Sequence, residues 1–203
     1  MEGVYGRQWL SNMIYNEINF EIAKIASKSS SRPELRSVLF KKDRTVATDS
    51  IRLLEISVPK DKKASEFPLN GIPHLDETHD LQPFLASSKE LKKIKISDCE
   101  TVINKVGDRS ISFKTAEGET ADVISVPRIE GEFPDYEEIF PKKAPVFEIS
   151  LNARYLEELL SVMGKIKVSG DVKLTFYGKK EPILIEAESQ IQRGRALLMP
   201  LSE

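Results

Sequence analysis

The 203-residue chain has one cysteine, Cys99, and so no internal disulfide framework of the kind that staples small secreted domains. It has no apolar run near the roughly 18 residues that a membrane-spanning helix needs. The N-terminus, MEGVYGRQWLSNMIY, lacks a basic start followed by an apolar stretch, so a signal peptide is not evident. These absences predict a soluble, cytoplasmic protein. Charge of one sign is also lacking, because 30 Lys+Arg against 32 Asp+Glu leave a net charge of −2. That excludes a polycation whose whole surface binds phosphate, while leaving room for a locally basic face. Glycine-rich phosphate loops are missing, which argues against nucleotide hydrolysis, and no Ser or Cys sits beside a His base in sequence. The only two histidines, His74 and His79, share the acidic loop HLDETHD, a composition more often solvated than metal-bound. Neither a metal, a cofactor nor an enzymatic activity is expected.

What the chain does have is a recurring pattern. VFEISL (146–151) alternates like a strand, Asn152 is placed as an N-cap, and Leu156, Leu159, Leu160 and Met163 follow at helical spacing up to Gly164. Three strand-like runs come next, at 172–178, 182–188 and 194–201. The same order occurs earlier. Phe84 and Leu85 precede Ser87-Ser88-Lys89-Glu90, read as a capping box, with Leu91 and Ile94 as the apolar side of a short helix. Strand-like runs at 101–107, 110–116 and 119–127 complete it, and shifting Ser87, Leu91 and Ile94 by 65 lands on Asn152, Leu156 and Leu159. A third copy has Ile18, Ile22, Ile25 and Ala26 on one helical face and runs at 35–41, 44–49 and 52–59, with Ile22 and Ile25 lying 69 residues before Leu91 and Ile94. The expected fold class is α+β; a β-α-β-β-β unit used three times is one reading of these spacings, and helices recurring at similar gaps by chance in an α+β chain is the other. Residues 60–83, rich in Pro, Gly and charge, read as a connecting loop. Residues 1–15 fall outside the pattern; Trp9 and Tyr15 are expected to form an apolar strap over a sheet edge or subunit face.

Several segments resemble a known family. Ala26–Leu35 with Val38-Leu39-Phe40, and Val46-Ala47-Thr48-Asp49-Ser50-Ile51-Arg52-Leu53, are similar to the middle domain of the bacterial sliding clamp, the β subunit of DNA polymerase III. Glu130-Gly131-Glu132-Phe133-Pro134-Asp135-Tyr136, with Ile139 and Pro141, resembles the segment closing that domain, and Asn152–Leu156 the helix start in the second half of the last domain. Leu197-Leu198-Met199-Pro200-Leu201 is similar to the family's C-terminal V-M-P-M. The resemblance implies a DNA-clamp fold, with antiparallel sheets outside and helices inside. It implies one clamp domain over 1–143 (half-units of about 1–70 and 71–143) and a single half-unit over 144–203.

A clamp performs no chemistry: a closed ring stays on duplex DNA because it cannot leave sideways, and weak phosphate contacts let it slide. The resemblance therefore makes Lys24, Lys28, Arg32, Lys89, Lys92, Lys93 and Arg154 DNA-facing. It implies sequence-independent duplex DNA, a polymerase or repair protein carrying a clamp-binding linear motif, and a clamp loader as partners. Family rings hold twelve half-units, so three per chain give a homo-tetramer by counting. The peptide pocket carried over from the family comprises Leu35, Thr48, Arg52, Leu53, Pro134, Ile139, Leu198, Met199, Pro200 and Leu201. Such Leu, Ile and Met side chains offer adaptable apolar surface to an extended peptide. Departures are visible: Ser50-Ile51 stands for the family's Gly-His, Glu138 for a basic residue, and Ser202-Glu203 for Arg-Leu. A non-encircling adaptor or competitor that binds clamp-interacting peptides, or another clamp, is the alternative expectation.

Overall fold

The computed structural model describes residues 15–29, 31–59, 82–94, 100–117 and 120–201. Trp9, His74, His79, Lys95, Cys99 and most of the 60–83 connection lie outside the described residues. The chain divides into two compact units between Ile139 and Phe140.

In the first unit, helix α1 (Glu17–Glu21) runs into a 3-10 turn (Ile22–Lys24), and a second 3-10 turn (Pro33–Arg36) precedes strands β1 (Ser37–Phe40), β2 (Arg44–Thr48) and β3 (Leu53–Ser57). Then come β4 (Phe84–Ser87), α2 (Ser88–Leu91), β5 (Glu100–Val106), β6 (Ser110–Glu117) and β7 (Thr120–Ile129). The strands form one antiparallel sheet in the order β3-β2-β1-β4-β7-β6-β5. That order is two helix-plus-meander units laid side by side. The lead strand of the second, β4, pairs with β1, the first meander strand of the other (Leu39 opposite Leu85). Its counterpart is Tyr15, which leads into α1 and bridges Thr101 of β5. Each half thus lends its leading segment to the other, the signature of an internal two-fold repeat. Tyr15 is fully buried against the edge strand β5, the sheet-edge role expected of it.

Alternation decides which side chains meet the helices. Val38, Phe40, Ala47, Phe84, Ala86, Ile103, Ile111, Phe113 and Val126 pack with Phe20, Ile22, Ala23, Ala26 and Leu91 in one core. Phe40 stacks on Phe84 at 5.2 Å and meets Phe113 at 5.4 Å. Leu39, Val46 and Leu85 point the opposite way and are covered by Tyr136, with Phe133 packed beside it. The Glu130–Tyr136 motif is therefore structural, since its two aromatics close the second face of the sheet.

The sequence reading needs correction in four places. The buried side of α1 is Asn19 and Phe20, and Ile18 is 54% exposed. The tighter 3-10 turn after Glu21 shifts the inward face, and Asn19 is satisfied there by donating to Thr45 Oγ1 and the Ser57 carbonyl. The capping box read at Ser87 is not formed, whereas Asn16 and Asn19 cap each other at α1. Leu35 and Arg36 lie in the 3-10 turn, ahead of the strand. Finally, 146–151 is irregular, although Ser150 accepts a 2.8 Å hydrogen bond from the Leu201 amide. In the first unit a lead strand is held by the meander of the other half; the second unit contains one meander only.

That second unit is α3 (Ala153–Met163) followed by the antiparallel meander β8 (Lys173–Thr175), β9 (Ile183–Glu188) and β10 (Arg193–Leu198). Asn152 caps α3 by accepting from the Arg154 and Tyr155 amides. Leu156, Leu159 and Leu160 bring Met163 against Ile183, Ile185, Ala187 and Leu198. The DNA-clamp arrangement of repeated helices on antiparallel sheets is thus present, with all three meanders of the pattern.

Candidate functional site

The cations named from sequence fall into distinct environments. Lys24 pairs with Glu21, and Lys93 with Glu90 at 2.8 Å, each within its own helical segment. Arg32 donates to Ser50 Oγ at 3.3 Å and lies 3.8 Å from Glu34. Arg154 is exposed in the first turn of α3, in the second unit. Lys28, Lys89 and Lys92 are different: they line a cavity of about 460 Å³ in the first unit, together with Arg36.

Its walls come from the end of the α1 segment, the 3-10 turn at Pro33–Arg36 and the start of α2; Ser27, Ser87 and Ser88 add polar groups and Pro33 and Ile129 an apolar side. Among the described residues no carboxylate lines it, and none of its four cations is ion-paired. The electrostatic cost is visible at Lys92, whose ammonium is pushed below the ordinary lysine range by burial and then by the nearby Lys28 charge. Four uncompensated positive charges around one opening suit an oxyanion such as a backbone phosphate. Arg36 was missed in the sequence because a strand reading hid it; its only signal is proximity to the Arg32-Pro33 turn.

The residues carried over for peptide binding likewise differ in accessibility. In the first unit, Leu35 is buried (3% exposed) and Thr48 is buried with its hydroxyl donating to the Arg52 carbonyl. Leu53 and Pro134 are half-buried, and Ile139 is 66% exposed. Arg52 is bound into the β2–β3 turn. Asp49 Oδ1 accepts from the Ile51 and Arg52 amides, and Oδ2 from the Arg52 guanidinium at 2.7 Å. These bonds, led by the Arg52 amide and then its side chain, hold the Asp49 carboxyl down at about 2. Ser50 sits there at φ 76°, the left-handed conformation for which the resembling motif has Gly.

In the second unit, Leu198 belongs to the core, while Met199 (60% exposed), Pro200 and Leu201 line a groove of about 550 Å³ with Glu148, Ile149 and Ser150. Two residues that sequence reading passed over, Lys179 and Lys180, complete it from the β8–β9 loop. Within each unit, then, the carried-over set separates into buried residues that shape the fold and exposed ones able to touch a partner.

No family model matches the chain, and no curated protein sequence matches it. Solved structures do. The β subunit from DNA polymerase of Streptococcus pyogenes is similar with a TM-score of 0.67 and 19% identity, covering 100% of this chain and 52% of that one. DNA polymerase III subunit beta from Borrelia burgdorferi gives 0.64 at 17%, covering 98% and 51%. A DNA polymerase sliding clamp from Pseudomonas aeruginosa gives 0.62 at 15%, covering 96% and 52%. The chain has the fold of these sliding clamps and spans about half their length.

Proposed function

We propose that this chain is a clamp-like processivity factor: copies assemble around duplex DNA and tether a polymerase or repair protein through a linear peptide motif. The observation that carries the reading is the four-cation cavity formed beside α2, the Pro33–Arg36 turn and the end of the α1 segment of a repeated clamp fold. Duplex DNA offers a regular row of phosphates, and cations without carboxylate partners can exchange among them without reading bases. Lys28, Lys89 and Lys92 are assigned to that contact, with Lys24, Lys93, Arg32 and Arg154 adding long-range attraction that salt screens.

Peptide capture is assigned to the members of the carried-over set that are not buried: half-buried Leu53 and Pro134 with exposed Ile139 in the first unit, and half-buried Pro200 with exposed Met199 and Leu201 in the second. Leu35, Thr48 and Leu198 act from beneath, by fixing the backbone that presents them, and Arg52 through the turn it holds with Asp49.

The deciding experiment loads the protein on circular duplex DNA and measures retention before and after linearisation. Release by a free end is expected of a ring. Equal retention on both forms removes the encircling reading and leaves an adaptor that binds peptides without enclosing DNA. Calorimetric titration with a Gln- and Leu-rich clamp-binding peptide tests the second half: Met199→Asp with Leu53→Asp should abolish binding, and an unchanged isotherm would refute the placement. Light scattering that gives a monomer at every concentration would remove the tetramer.

A further inference from the structure

The groove of the second unit holds more chemistry than apolar anchoring requires. Its apolar lining is Ile149, Met199, Pro200 and Leu201, and the exposed charges Lys179, Lys180 and Glu148 complete it. Both lysines are exposed and neither has an ion-pair partner among the described residues. Two ammonium groups against one carboxylate leave the groove with one net positive charge. Solvent-exposed lysines without an ion-pair partner remain available to an incoming anion, and methionine and leucine side chains adapt to apolar side chains of different shape.

We infer that Lys179 and Lys180 are specificity-determining residues that make the groove select extended peptides carrying Asp or Glu next to their apolar anchor. The inference rests on the peptide-binding reading above and adds to it a preference that the apolar residues cannot impose. Glu148 limits the effect, since it repels the same acidic side chain that the lysines attract. The preference is electrostatic and set by exposed groups, so it acts on discrimination among peptides and weakens with salt.

The test uses the full chain and two fluorescein-labelled peptides of identical Gln/Leu core, one flanked by two Asp and the other by two Asn, read by anisotropy. The acidic peptide should bind roughly fivefold tighter at low salt, the size expected of two exposed ion pairs. Lys179→Glu with Lys180→Glu should reverse the order, and Glu148→Gln should widen the wild-type gap. Equal affinity for both peptides, with Met199→Asp still abolishing binding, overturns this inference and leaves peptide capture standing. An acidic preference that survives Lys179→Gln with Lys180→Gln also overturns it. Failure of both peptides to bind removes both readings. Self-association that Lys179→Glu with Lys180→Glu disrupts would show that the groove takes a second copy instead, and would likewise end the proposal.

Discussion

Neutralising Lys28, Lys89 and Lys92 together, as Gln, tests the cavity most directly. For duplex DNA the slope of log affinity against log salt falls by about 0.9 for each phosphate that is no longer neutralised. Three such phosphates flatten it by about 2.7, so the wild-type affinity falls about 40-fold more than the variant's between 50 and 200 mM salt. Lys24→Gln with Lys93→Gln is the matched control. Those ammonium groups are already paired with Glu21 and Glu90, so their removal should change the slope much less. Anisotropy titrations of a labelled duplex over a salt series give both numbers. A second readout is internal: Lys28→Gln should let the Lys92 pKa rise back toward the ordinary lysine value, because the Lys28 charge is one of the two influences holding it down. NMR titration of the Lys92 side chain reports that shift. A triple variant with the wild-type slope, or a control pair that flattens it equally, would show that these cations do not act together on phosphate.

The β2–β3 turn should be acid-sensitive. Asp49 has a folded pKa of about 2 against 3.8 for the free group, so its stabilisation is complete above the higher value and is lost as pH falls through the lower one. NMR titration of wild type and Arg52→Gln should show the Asp49 midpoint moving upward in the variant. Asn152→Ala removes the acceptor that caps α3 and should cost about 1 kcal/mol by urea denaturation. Leu91, 1% exposed between α2 and the sheet, should lose about 2–5 kcal/mol as Ala. Gly194→Ala would put a Cβ 2.4 Å from Ile166 Cδ1 and 3.0 Å from Met163 Sδ. Both are side-chain ends that can swing away, so about 1 kcal/mol is expected in the same assay.

Much of the fold was legible because it depends on short-range signals. Alternation from Ile183 to Glu188, and the spacing of Leu156, Leu159, Leu160 and Met163 behind Asn152, each specify their element with little help from elsewhere. Short helices are another matter. A few residues of α1 and α2 cannot hold a helix by propensity, so the packing of Phe20 and Leu91 sets where they start, stop and face. That is why Ile18 faces outward and Ser87 makes no cap. The site residues divide on the same principle. A motif match names positions, but Leu35, Thr48 and Leu198 are buried and Met199 is exposed, a difference with no trace in one-dimensional spacing.

The amino-acid order alone determined individual strands and the α3 helix, and offered a recurring helix-and-meander unit as one of two readings, because hydrophobic period and capping are local properties of the polymer. Only the tertiary structure decided how the first two copies are joined, through β1–β4 and the Tyr15–Thr101 bridge. It also decided which cations share a cavity: Lys28 and Arg36 meet Lys89 and Lys92 across more than fifty residues of sequence. Charges that far apart in the chain become neighbours only when buried strands beneath them fix the register.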